Sequence, residues 1–186
     1  GFDTGPGNTL LDHWIRQQRQ LPYDQDGQWA ASGEVEGPLL EKLMAHPYLA
    51  LTGPRSTGKE AFNLPWLYDL LSALPDIPPQ NVQATLAEFT VKTIADAIVQ
   101  THVKVDEIYV CGGGAHNGQL MNCLRAALPG TMVGKTDELG IDSDWVEAAT
   151  FAWLAWRTIS NLPGNAPAVT GANAERVLGA IYPGNV

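Results

Sequence analysis

Gly1-Phe2-Asp3-Thr4-Gly5-Pro6-Gly7-Asn8 opens the sequence, and the reading of the fold starts from it. One carboxylate sits among three glycines and a proline, and an amphipathic run begins directly afterwards. Glycines let backbone pass close to a ligand or take positive φ, and proline stiffens the turn. Asn8 is a good N-cap for the following run, so the loop lies against a helix N-terminus, where anions are favoured. A carboxylate held there suits a general base beside a phosphate. The same pattern also describes a surface turn in which Asp3 bonds only its own backbone.

Working outward, Thr9 to Gln20 reads as a helix with Leu10, Leu11, Trp14, Ile15 and Leu21 on one face, ended by Pro22. Pro38 to Ala45 and Asn63 to Leu74 are shorter helices. Gln80 to Thr101 is the longest periodic segment, with Val82, Leu86, Phe89, Ile94 and Ile98 as its core stripe. The period then switches. Glu107 to Cys111 reads as a buried strand that runs into Gly112, Gly113 and Gly114 and on into a helix carrying Leu120, Met121, Leu124 and Leu128. Strand, glycine turn and helix together bring a nucleotide to backbone N–H groups, or simply make a tight turn. Thr131 to Gly134 reads as a second strand, parallel to the first by a crossover. A helix from Trp145 to Asn161 follows, with Val146, Ala149, Trp153, Trp156 and Ile159 inward. Asp144 and Glu147 fit a capping arrangement at its start. The tail from Leu162 is a long connection with a short helix over Glu175 to Ile181. The fold class is α/β and helix-rich.

Two stretches imitate known ligand loops. Gly53 to Glu60 almost spells the phosphate loop G-x-x-x-x-G-K-[ST], but Glu60 stands where a hydroxyl should reach Mg²⁺, and Pro65 interrupts the helix that should follow. The pattern therefore argues against a true phosphate loop. Asp24-Gln25-Asp26-Gly27 begins like a Ca²⁺ loop, yet Val35 stands where the bidentate Glu belongs, so it reads as a polar turn. His116 has no Ser or Cys elbow beside it and reads as a capping or surface histidine.

Bulk properties narrow the class. The 186 residues suffice for one domain with a sizeable core, and 45% hydrophobic with 17% charged residues is ordinary for a soluble globular protein. A net charge of −9 with no Lys/Arg cluster argues against nucleic acid or anionic membrane as partners. No run approaches a membrane span. Cys111 and Cys123 read as reduced core thiols of a cytoplasmic protein.

Gly1 to Asn8 closely resembles a segment of anhydro-N-acetylmuramic acid kinases. Ser56-Thr57-Gly58-Lys59-Glu60, Cys111-Gly112-Gly113-Gly114-Ala115-His116-Asn117, and the block from Thr136 to Ala148 resemble the same family, in the family's order. The resemblance is to the second half of that kinase. It implies an actin/hexokinase-like (ribonuclease H-like) lobe lacking its first strands, in the actin-like ATPase and sugar kinase superfamily. It also implies ATP and Mg²⁺ as cofactors, 1,6-anhydro-N-acetylmuramic acid as substrate, peptidoglycan recycling as the setting, and a homodimer with Trp-rich helices as candidate surfaces. Asp3 matches the family's catalytic aspartate and Glu147 a sugar-contacting glutamate. Gly112, Gly113, Gly114 and Asn117 would border the nucleotide, with Thr4, Gly5, Ser56, Thr57 and Lys59 as further cleft residues; the metal ligands stay unassigned. The family's N-terminal phosphate loop (Gly-Thr-Ser-x-Asp-Gly in type) is not among these residues. The expectation is therefore the C-terminal lobe of a two-lobe kinase, turning over little by itself. Another sugar or acyl-group kinase of the superfamily, or a non-catalytic scaffold, are the alternatives.

Overall fold

One long helix organises the chain. The computed structural model describes residues 1–182 and Gly184. In chain order the regular elements are α1 (Thr9–Arg19), α2 (Gln28–Ala31), α3 (Gly37–Met44), α4 (Leu64–Ser72), α5 (Pro79–Gln100), β1 (Glu107–Val110), α6 (Gly118–Ala127), β2 (Met132–Lys135), α7 (Val146–Ile159) and α8 (Pro167–Thr170). The 22-residue α5 packs against α1, α2, α3 and α6. Val82, Leu86 and Phe89 are buried on it as the periodicity requires, while Ile94 and Ile98 are partly covered.

Because neighbours surround α5 on several sides, it also buries Gln83, Thr85, Thr90 and Thr93, each given a hydrogen bond. Thr85 Oγ1 donates to Asn81 O and accepts from Glu36 N–H. Gln83 Nε2 donates to Asp24 Oδ2. Thr93 Oγ1 donates to Thr90 O, and Thr90 Oγ1 donates to Gly7 O at 2.8 Å. The last of these ties the N-terminal segment to the core.

The sheet is small. Among the described residues β1 and β2 pair in parallel, Glu107 with Met132 through Val110 with Lys135, and α6 makes the crossover. The parallel pairing is the expected one. Its strands end one residue from the predicted bounds.

Four expectations need correction. Leu21 is 45% exposed, because α1 stops at Arg19 and Gln20 turns left-handed at φ 58°. Cys111 is exposed and Cys123 half-buried, so Cys111 is no core thiol, although both are free. Glu175 to Ile181 is not helical, and the tail's helical turn is Pro167–Thr170 instead, started by Pro167. Finally, α7 forms but buries nothing: Trp153, Trp156 and Ile159 are exposed at 48%, 51% and 71%. Periodicity identifies residues that share a face, not what covers that face. The tail lies against α7, through Arg157 Nε to Pro163 O and Leu154 against Gly164.

His46 is part of the core edge. Its ring lies 4.6 Å from the Phe62 ring and 4.9 Å from Trp66, and its Nδ1 accepts from Tyr48 N–H at 3.2 Å. Burial holds its pKa below the ordinary 6.5, so the folded state favours the neutral ring. The stability this provides is present above pH 6.5 and is lost as pH falls through the lowered value.

Two outcomes follow from this packing. Chemical denaturation at pH 7.5 and 5 will show that His46→Asn, which keeps an acceptor but cannot titrate, loses less stability on acidification than the parent; equal losses would refute the assignment. A Cβ on Gly5 would meet Thr93 Oγ1 at 2.8 Å. Gly5→Ala is therefore expected to cost about 1–3 kcal/mol, with Thr93→Ala in the double variant restoring part of it.

Candidate functional site

The Gly1–Asn8 segment crosses the C-terminal part of α5 and meets a different loop at each end. Its placement follows from residue sizes. Gly5 fits against Thr93 because it has no side chain, Pro6 is buried, and Gly7 takes φ 56° beneath the Thr90 hydroxyl.

At the first end, Asp3 is held from four directions. Its N–H donates to Arg55 O at 3.1 Å. Its carbonyl accepts from Tyr48 Oη at 2.8 Å and Arg55 Nε at 3.3 Å. Its Oδ2 accepts from Thr57 N–H at 2.9 Å. The carboxylate is therefore not spent on its own turn. It is exposed, and its backbone is locked. Arg55 lies 4.4 Å from the Phe2 ring centroid and 5.7 Å from that of Tyr48, which closes the cluster. Burial and the Asp3 charge raise the Tyr48 phenol above its ordinary value, with Arg55 opposing, so Tyr48 stays a neutral donor near pH 7.

At the second end, Asn8 precedes α1 without a capping hydrogen bond from its side chain. That amide instead faces the glycine bend: a Cβ on Gly113 would stand 3.5 Å from Asn8 Nδ2, and one on Gly114 3.6 Å from its Oδ1. Sequence reading had Asn8 capping α1, and the structure assigns it to the bend. Gly112 turns at φ 74°, ψ −174°, a conformation open essentially to glycine, and its N–H donates to Ser143 O at 2.8 Å. A single 3₁₀ turn, Gly113–His116, then leads into α6, whose N-cap Asn117 accepts from Leu120 N–H at 3.0 Å. Gly113 and Gly114 open that turn, so their N–H groups have no partner within it.

The remaining site residues fall into two groups. Thr57 joins Asp3, and Thr4 shares with Arg55 and His46 a neighbouring cavity of about 340 Å³. Ser56 and Lys59 are exposed in the same loop. That loop is no phosphate loop: Tyr48 lies in a 3₁₀ turn, not a strand, and the next helix starts at Leu64, capped by Asn63 Oδ1 with Pro65 in its first turn. Glu147 stands apart, exposed in the first turn of α7, and the N-cap there is Trp145 with no side-chain bond, so the expected capping role does not occur. Asp144 instead meets His116 Nε2 at 2.9 Å, which makes His116 a surface partner.

Sequence reading missed the second wall of the glycine bend. A cavity of about 320 Å³ lies between α1, the 24–27 turn and the bend, and Asp12, Asp26 and Tyr23 line it beside Asn8, Gly113 and Asn117. The signal was Asp24-Gln25-Asp26-Gly27, seen only as a polar turn. Asp24 receives Trp29 and Ala30 N–H groups and so starts α2, while Asp26 Oδ1 accepts from Gly118 N–H at 2.9 Å and so fixes α6. No group of three His, Cys, Asp or Glu suited to a metal occurs among the described residues.

The profile of the family described as anhydro-N-acetylmuramic acid kinase matches residues 1–184. The chain belongs to that family. Similar proteins named anhydro-N-acetylmuramic acid kinase occur in Pseudomonas savastanoi pv. phaseolicola (52% identical), Pseudomonas fluorescens (53%) and Nitrosomonas europaea (52%), each over 183 residues and 98% of this chain. The chain spans about half the length of these curated relatives, 50% in each case. The helix-rich α/β architecture with its small parallel sheet is compatible with part of such a kinase.

Two of the bend's three glycines should respond differently to a methyl group. Gly112→Ala meets no neighbour within 4 Å but strains the backbone, so a loss of about 1–3 kcal/mol is expected by denaturant unfolding. Gly113→Ala makes only ordinary contact with Asn8 and should cost less than half as much.

Proposed function

We propose that the whole protein is an ATP-dependent kinase that opens 1,6-anhydro-N-acetylmuramic acid with water and phosphorylates O6, giving N-acetylmuramic acid 6-phosphate for peptidoglycan recycling in the cytoplasm. Membership of the family supports the reaction class. The observation that carries the reading is that one rigid segment sets Asp3 at one end and approaches the glycine bend at the other. No described helix is long and apolar enough to cross a membrane.

In this reading Asp3 takes the proton from a water that attacks the anomeric carbon. The bond from that carbon to O6 breaks, and O6 bonds to the terminal phosphorus as ADP leaves. Asp3 suits this because its backbone is fixed by Tyr48 and Arg55 while one carboxylate oxygen takes only the Thr57 N–H. Gly113 and Gly114 offer N–H groups to phosphate oxygens, and the lack of side chains there permits close approach. Asn117 has its Oδ1 committed to α6 and keeps its amide donor for the nucleotide. Thr4, Gly5, Ser56, Thr57 and Lys59 would border the cleft around Asp3, and Glu147 would orient the sugar. Mg²⁺ would be held largely by phosphate oxygens and water, as is usual for this ion, and would neutralise charge during transfer.

The relatives' additional length is proposed to supply the other lobe and its phosphate loop. The assembly proposed is a homodimer, with the exposed tryptophans of α7 as candidate contacts.

The test is turnover by the full-length protein with ATP, Mg²⁺ and the anhydro-sugar. Asp3→Asn is expected to lower kcat about 10²–10⁴-fold with little change in KM. Turnover within a few-fold of the parent would remove Asp3 as the base, and absence of ATP-dependent product from the intact parent would remove the kinase reading altogether.

A further inference from the structure

We infer that His116 and Asp144 are positioning residues for the glycine bend. Their contact fixes the far end of the Gly113–His116 turn, and so keeps the Gly113 and Gly114 N–H groups in place. The inference rests on the kinase reading, which uses the bend but leaves open what holds it.

The bend has no ladder of its own. It follows β1, which ends at Val110, and makes a single 3₁₀ turn before α6. Within it Ala115 N–H donates to Gly112 O at 2.9 Å and Asn117 N–H to Gly114 O at 3.1 Å. Backbone so short and irregular takes its position from contacts outside itself.

One neighbouring loop, residues 136–144, supplies such contacts at both ends. Ser143 O accepts from Gly112 N–H at 2.8 Å where the turn begins. Asp144 Oδ1 stands 2.9 Å from His116 Nε2 where it finishes. A carboxylate can only accept, so Nε2 carries the hydrogen and donates. Two consecutive residues thus hold the first and last positions of the bend.

The loop is itself preset. It follows β2, the parallel partner of β1, so loop and bend leave the carboxyl ends of adjacent strands, the side on which such sheets take ligands. Lys135 N–H donates to Glu138 Oε1 at 3.0 Å. Gly140, at φ 83°, donates to Asp137 O at 3.0 Å, and Ile141 N–H to Thr136 O at 3.1 Å. Ser143 is buried, and Asp144 N–H donates to Asp142 Oδ1 at 2.9 Å. That last bond survives loss of the Asp144 side chain, so Glu147, three residues on, keeps its place.

Magnitude separates positioning from stability. The His116 and Asp144 side chains are 51% and 61% exposed. A pair so open to water changes an equilibrium by roughly fivefold at most, a small part of a domain's stability. The setting of the bend is a local equilibrium, and there the same factor bounds the loss of nucleotide affinity.

The experiment measures equilibrium ADP binding, kcat, and the separate KM values for ATP and the anhydro-sugar in the full-length protein. His116→Ala and Asp144→Ala should each weaken ADP and raise the ATP KM about three- to fivefold, with kcat and the sugar KM within about twofold of the parent. The double variant should lose no more than either single one, because all three lack the same contact. Asp144→Asn keeps an acceptor and should recover most of the affinity. Unchanged ADP affinity in both single variants, a loss in only one of them, or losses that multiply in the double variant would overturn the inference. So would a parallel rise in both KM values with a lowered thermal midpoint, the mark of general loosening. Should Asp144→Ala fold poorly, loss in His116→Ala and recovery in Asp144→Asn remain the required results. A parent that turns over with ATP while the variants match it leaves the kinase reading standing and removes this inference alone. A parent that binds no ADP ends both.

Discussion

The fit of Gly5 against Thr93, together with the Thr90 hydroxyl on Gly7 O, is the contact on which the rest of this arrangement depends. An eight-residue segment without regular structure has no ladder to hold it, so its position must come from specific contacts. Two threonines on the buried face of α5 provide them, at a spacing of three that puts both on one side of the helix. Any side chain at position 5 would lift the segment off that surface. Lifting it would move Asp3 away from Thr57 and Asn8 away from the glycine bend together, because both are carried on the same short piece of backbone.

The electrostatics divide along the same segment. Near Asp3 the groups are cationic or hydrogen-bond donors: Arg55, the Tyr48 hydroxyl and the Thr57 N–H. Beyond Asn8 they are carboxylates, Asp12, Asp24 and Asp26. This matters in a chain with net charge −9, where anion binding requires a local arrangement rather than a general attraction.

Much of this was legible in the sequence where a residue type has one dominant physical use. The apolar period of 80–101, the strand-to-glycine switch at 107–114 and the N-terminal Gly/Pro/Asp loop each led to the right local structure, the helix lying one residue earlier at 79–100. Long-range relations were not legible. Nothing local to Asp24 and Asp26 says that one starts α2 while the other reaches 92 residues onward to Gly118. Nothing local to Asn8 says that its amide turns from its own helix to Gly113. The aromatic stripe of α7 is the opposite case: the helix was legible, its burial was not, since a face of Trp153 and Trp156 looks the same whether this chain or something else covers it. The 175–181 segment misled because Glu, Arg, Leu and Ala favour helix, yet its backbone hydrogen-bonds to the 164–165 turn and α7 instead.

The central claim is that a single segment, seated on α5, presents the proposed base Asp3 at one end and a neighbour to the glycine bend at the other. The most direct measurement is a crystal structure of the full-length protein with a non-hydrolysable ATP analogue and the anhydro-sugar. The account predicts the Asp3 carboxylate within hydrogen-bond reach of a water aligned on the anomeric carbon, and phosphate oxygens on the Gly113 and Gly114 N–H groups. A structure with the sugar remote from Asp3, or with the phosphates remote from that bend, would contradict it.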